Sequence, residues 1–172
     1  WAARRLQGRG VSVVVFDKGR RPGGRLATRR VDDLAFDHGA QYFTATDDAF
    51  RRQMAEWVDA GVVAEWTGRI GTLEHGQVQL GSGRTTRFVG TPGMSSLARH
   101  LARGLEIHQG VRVVSAVLQG GVWVLNAENG AALGSFDMVL VTVPAPQAAP
   151  LLAESPELAR AAGRARLWPC WA

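Results

Sequence analysis

VSVVVFDKGRRPGGRLATRR, residues 11–30, sets an unbroken apolar run from Val13 to Phe16 against a single acid, Asp17, and then a basic stretch with a glycine pair. Apolar residues at successive positions predict a strand buried on both faces, as in a parallel sheet covered by helices. Upstream, WAARRLQGRG reads as the last turns of a helix closed by Gly8 or Gly10. A helix feeding such a strand is the second half of a βαβ unit. In a nucleotide-binding unit of this kind, an acid at the end of the second strand accepts hydrogen bonds from ribose hydroxyls, and Asp17 stands at that position. Downstream, Gly23 and Gly24 remove side chains and Arg25 supplies a forked cation suited to a diphosphate. A strand-terminal cap and a basic surface turn are the competing readings of the same residues.

The composition is that of a globular chain. Its 172 residues are 46% hydrophobic and 20% charged, the length of one domain or of a piece of a larger one. The formal charge of +5 comes almost wholly from arginine, since Lys18 is the one lysine. The pairs Arg4-Arg5, Arg20-Arg21, Arg29-Arg30 and Arg51-Arg52 lack the aromatic or helix-turn-helix context of a nucleic-acid surface, so no nucleic-acid partner is expected. The most apolar stretch, MVLVTVPAPQAAPLLA, is cut by Pro144, Pro146 and Pro150, which argues against a membrane span. A single cysteine, Cys170, cannot form an internal disulfide, and a reducing cytoplasm is the expected location. The four histidines have no metal-ligand spacing with one another or with Cys170, and no metal site is expected. GMSSL departs from a nucleophile elbow at Leu97, leaving Ser95 or Ser96 as helix-initiating residues.

Along the chain, DDAFRRQMAEWVDAG (47–61) has acids first, Phe50, Met54, Trp57 and Val58 at helical spacing, and a closing glycine, which predicts an amphipathic helix. Residues 62–90 alternate short β-prone runs with glycine turns, as a small antiparallel sheet does. PGMSSLARHLARG (92–104) predicts a second helix. LEIHQG, VRVVSAVLQGG and VWVLNAENG read as consecutive strands with a hairpin, and SFDMVLVTVPAP (135–146) as a further doubly apolar strand ending in a proline turn. ESPELARAAGRAR (154–166) is helical. Both ends of the sequence read as cuts.

AFDHGAQYFTA, residues 35–45, adds Asp37, Gly39, Gln41 and two aromatics immediately before the first long helix. With VVVFDKGRRPGGRLATRR, VAEWTG, FVGTPGMSSLARHLA and VLVTVPAPQAAPLL, it resembles the amine oxidase-like flavoproteins, and within them the bacterial renalase-type oxidoreductases. The quoted segments cover nearly the whole chain. The resemblance implies an α/β fold: a partial FAD/NAD(P)-binding Rossmann-like domain with part of an inserted α+β substrate domain. It divides the chain into 1–46, an FAD-binding core without its first strand and glycine loop; 47–104, a substrate-domain portion; 105–150, a return to the core; and 151–172, the start of a further substrate-domain segment.

The same resemblance implies FAD as cofactor. Asp17 would bind the ribose of its adenosine half, with Lys18 beside it, and Arg25 the phosphates. Gly23, Gly24, Gly39, Ala40, Gln41, Tyr42 and Phe43 would line the pyrophosphate and isoalloxazine. Val113 is the position whose backbone would meet the adenine, and Thr142 to Pro144 the return strand beside the cofactor. His38 would lie near the flavin without an assigned role. The implied activity of the parent enzyme is oxidation of a reduced or isomeric dihydronicotinamide dinucleotide, with hydride passing to flavin and electrons to oxygen, while the piece itself is expected to be inactive. A flavin amine oxidase with another donor, and a remnant that holds no FAD, are the alternatives.

Overall fold

The computed structural model describes residues 1–68, 71–80 and 85–168, so Cys170 and Trp171 lie outside the described residues. In chain order the first elements are α1 (Ala2–Gln7), β1 (Val14–Asp17), a 3-10 turn at Gly24–Leu26, β2 (Thr28–Val31), β3 (Leu34–Asp37) and α2 (Asp48–Asp59). Next come β4 (Val63–Glu65), β5 (Gly71–Glu74), β6 (Gln77–Leu80), β7 (Phe88–Gly90) and α3 (Ser95–Ala102). The chain continues through β8 (Glu106–Gln109), β9 (Val113–Gln119), β10 (Val122–Ala127) and β11 (Ala132–Phe136) to α4 (Ala145–Ala148) and α5 (Pro156–Gly163). Two compact units result: Trp1–Val13 with Arg21–Leu105, and Val14–Arg20 with Glu106–Ala172.

The first unit is organised by α2. Asp47 accepts the Phe50 N–H at 2.9 Å and so caps the helix, as acids at its start predict. Its apolar stripe buries Trp57 against Val63 and Leu97, with Phe43, Met54, Val62, Phe88 and Leu101 packed around them. Burying side chains of this size stabilises by roughly 1.5–3 kcal/mol each. Phe50 meets the Trp57 ring edge-on at 5.9 Å, whereas Val58 turns outward and stays exposed. The expected antiparallel segment appears as a β4–β7 pair and a β5–β6 hairpin, and β2 pairs with β3 as another hairpin.

In the second unit β1 pairs in parallel with β8, Phe16 opposite His108 and Asp17 opposite Gln109. Phe16 stacks on the His108 ring at 5.3 Å and meets Phe136 edge-on. The strand is shorter than the sequence predicts, and its four residues are half-buried rather than covered on both faces, because among the described residues only β8 pairs with it. β9, β10 and β11 form an antiparallel meander. Its first turn needs positive φ at two successive residues, which Gly120 and Gly121 supply at 58° and 85°. The 3-10 turn Ala149–Leu152 packs on β9, and α5 follows as predicted.

Residues 137–143 depart from expectation. The predicted strand through MVLVTV does not form; β11 ends at Phe136, and no described strand supplies a ladder for the next seven residues. Met138 is 79% and Leu140 60% exposed, so the apolar pattern is present without a partner to bury it among the described residues. No described helix is long and apolar enough to cross a membrane.

Candidate functional site

The residues expected at a cofactor fall into two groups, one in each unit. In the second unit, Asp17 ends β1 with its carboxylate half-buried. Its Oδ1 accepts the Gly19 N–H at 2.8 Å, and its main-chain carbonyl accepts the Val111 N–H at 3.0 Å. Gly110 N–H donates to Gly19 C=O at 2.9 Å, so the turn after β1 is stitched to the turn after β8. The carboxylate is thereby aimed and held by one oxygen, and among the described residues Gly19 is the one donor it engages. Lys18 Nζ donates to Gln147 Oε1 at 3.0 Å, tying the strand end to α4. Pro144 carbonyl accepts from Gln147 N–H and Ala148 N–H at 2.8 and 2.9 Å, so Pro144 opens α4 while exposed Thr142 lies in the extended approach to it. Val113 begins β9 opposite Ala127, at a register shift in the β9–β10 ladder.

In the first unit, Arg25, directly after Gly23 and Gly24, meets Gly39 and Ala40. The Ala40 N–H donates to the Arg25 carbonyl at 2.8 Å, and a Cβ on Gly39 would stand 2.1 Å from that oxygen. Only glycine permits this approach, which explains why the GG-R and HGA segments are legible together. The Arg25 side chain is exposed and forms no ion pair with any described carboxylate. A site for an anionic dinucleotide needs such a cation beside side-chain-free backbone, and the residues present fit an FAD phosphate on that ground.

Gln41, Tyr42 and Phe43 leave this cradle in an extended path. Phe43 and Phe88 exchange both main-chain hydrogen bonds at 2.9 Å, which docks the segment on β7. Tyr42 is 43% exposed and leans on Trp66 at 5.8 Å, with the Arg87 guanidinium 5.1 Å above its ring. Neither Trp66 nor Arg87 carries a sequence signal of its own, although Trp66 lies in VAEWTG, one of the segments that bear the resemblance.

Asp37 proves structural. Both carboxylate oxygens accept the Met94 N–H, at 3.0 and 3.1 Å, and Oδ1 also accepts the Thr28 hydroxyl. Thr28 Oγ1 in turn accepts the Ser95 N–H at 3.1 Å. The β2–β3 hairpin therefore caps α3 from outside. The Ser95 and Ser96 hydroxyls do not perform the helix-initiating role expected of them; they accept from Arg99 Nη1 and Nη2 at 2.7 and 2.9 Å. The reason is burial: both serines lie inside the fold, where a cation four or three residues on is the available donor. On the same helix, desolvation holds His100 below the ordinary imidazole range, helped by Arg103 and Arg4, and its Nδ1 is buried without a partner among the described residues.

Comparison with known proteins fits this arrangement. Residues 1–58 match a family described as NAD(P)-binding Rossmann-like domain, and residues 62–167 match flavin containing amine oxidoreductase. Among solved structures, the chain is similar to a putative protoporphyrinogen oxidase from Exiguobacterium sp. 255-15, with TM-score 0.66 and 15% identity, covering 91% of this chain and 59% of that one. It is also similar to putrescine oxidase bound to putrescine, with TM-score 0.64 and 12% identity, covering 87% and 56% respectively. The chain thus spans under three fifths of the length of either. The Rossmann-like α/β fold and the flavin cofactor read from the sequence agree with these matches. With its matched region running from residue 62 to residue 167, the chain belongs to the flavin-containing amine oxidoreductase family.

Proposed function

We infer that the chain is part of a renalase-type FAD-dependent oxidase, acting in the cytoplasm on a reduced or isomeric dihydronicotinamide dinucleotide. The observation that supports the FAD-binding part of this reading is the Asp17 carboxylate, held at the end of a parallel strand by a single described donor, Gly19 N–H at 2.8 Å, while the donor class rests on the resemblance of the sequence. A carboxylate so held keeps acceptor capacity for a ribose diol. Bound flavin would supply the redox chemistry, accepting hydride and returning electrons to oxygen.

The protein's part is to bind and orient. Asp17 takes the adenosine ribose with Lys18 beside it, and the start of β9 at Val113 meets the adenine. Gly23, Gly24 and Arg25 receive the diphosphate. Gly39, Ala40, Gln41, Tyr42 and Phe43 line the ring system, and Thr142 to Pro144 run beside the cofactor. Residues 1–46 and 105–150 form the cofactor core, 47–104 a substrate portion, and 151–172 the start of another. No charged general base is required, because hydride leaves the donor carbon directly.

The test is made on the full-length protein. Asp17→Ala is expected to lose FAD through gel filtration while His38→Ala keeps it; equal retention by both sinks the ribose assignment. Anaerobic addition of dihydronicotinamide dinucleotides should bleach the visible flavin absorbance, and air should restore it with hydrogen peroxide. Bleaching by putrescine or another amine, and not by dihydronicotinamides, would move the reading to a flavin amine oxidase.

A further inference from the structure

We propose that Arg87 is the residue that recognises an anionic group of the hydride donor, a phosphate joined through ribose to a flat ring. This rests on the donor class proposed above and adds to it a specificity residue. Three segments converge at one end of the β4–β7 ladder. Glu65 pairs with Phe88, Trp66 N–H donates to the Arg87 carbonyl at 2.8 Å, and the two-way Phe43–Phe88 bond brings in Tyr42. The backbones of residues 42, 66 and 87 are therefore pinned together by main-chain bonds.

Their side chains meet around the Tyr42 ring. Arg87 lies over the Tyr42 ring at 5.1 Å, and Trp66 leans on the same ring at 5.8 Å. Tyr42 and Trp66 remain 43% and 40% exposed, enough open ring surface to receive another flat ring. A guanidinium held near a ring by cation–π attraction spends no N–H···O hydrogen bond on that contact. No described carboxylate forms an ion pair with Arg87, and no described acceptor takes a hydrogen bond from it. A half-buried cation fixed by a ring, with its donors unspent, is suited to two oxygens of a phosphate.

The experiment compares two donors that differ by one group. Dihydronicotinamide mononucleotide carries a phosphate and dihydronicotinamide riboside lacks it. Anaerobic flavin bleaching in the flavin-loaded, full-length protein gives the dissociation constant of each, and calorimetry with the oxidised pair gives binding without turnover. The wild type should prefer the phosphate-bearing member by about tenfold or more, the size expected for a charge-assisted pair. Arg87→Ala should bring that ratio to about one, chiefly by weakening the mononucleotide. Arg87→Lys should keep part of the preference, since the charge remains and the fork is lost. Tyr42→Phe should keep it and Tyr42→Ala reduce it. Should Arg87→Ala not fold, Arg87→Gln carries the same comparison.

A wild type without preference, or an Arg87→Ala protein whose ratio is unchanged, overturns the proposal. Flavin that neither dihydro compound bleaches overturns the donor class instead, and calorimetry then still reads the phosphate preference separately.

Discussion

Asp37→Ala tests how much of the first unit hangs on one carboxylate. The substitution removes the acceptor of the Met94 N–H, on a residue with 0% exposure, and the partner of the Thr28 hydroxyl. Loss of a helix cap costs about 1–2 kcal/mol. Leaving a buried N–H unpaired accounts for much of the same loss and extends it, so about 2–3 kcal/mol is expected in total. With a urea m-value of about 1–3 kcal/mol per molar, the midpoint of the transition reporting on this unit should fall by about 0.7 to 3 M. Local opening should show more directly in hydrogen exchange, where the Met94 and Ser95 amides lose about 30- to 150-fold protection. Asp37→Asn keeps an acceptor and should cost about half as much. Exposed Asp33, in the turn between β2 and β3, is the control, and Asp33→Ala should stay within about 0.5 kcal/mol of wild type. An Asp37→Ala protein as stable as the Asp33→Ala protein, with unchanged exchange at Met94, would refute the capping argument.

Gly39→Ala should be far worse than Gly24→Ala, because the added methyl meets the Arg25 carbonyl at 2.1 Å in one case and open space in the other. Gly24 has φ 51°, so its substitution costs about 1 kcal/mol of backbone strain, and thermal melts of both variants should separate by several degrees. Removal of Lys18 by Lys18→Met should change stability by under about 1 kcal/mol, since its bond to Gln147 is exposed; a urea midpoint shift matching Asp37→Ala would contradict this. The pH dependence follows from His100, whose folded-state value is lowered by desolvation and then by Arg103 and Arg4. Above the ordinary histidine value of about 6.5 both states are neutral and the residue is silent. As pH falls below it the unfolded chain takes the proton first, so stability declines until the folded value is passed. Urea midpoints between neutral pH and pH 5 should show this acid slope, and His100→Leu should flatten it.

Local pattern carried the elements whose information is local. Asp47 and the Phe50, Met54, Trp57 spacing specify α2 because a cap and an amphipathic stripe lie within a few residues of each other. Met138 to Val143 have an equally strong strand pattern and form none, because a ladder requires a neighbouring chain segment that periodicity does not encode. The capping role of Asp37 is silent in the sequence for a related reason: its partner, Met94, is 57 residues away. The pairing of Gly39 with Arg25 was legible only as two motifs in order, and the 2.1 Å constraint between them is a fact of three dimensions. Arg87 gave no signal, since a lone arginine among many acquires meaning from the ring beneath it.

Met94 adds a consequence for the chemistry of wear. Its thioether lies 3.1 Å from the Gly90 N–H and has no exposed surface, so an oxidant in solution reaches the sulfur only when the turn between β7 and α3 comes apart. Sulfoxide formation at that one residue therefore counts openings of the turn, while exposed Met138 reports the oxidant dose in the same sample. The ratio of the two thus keeps a record of how often that turn has opened per dose of oxidant.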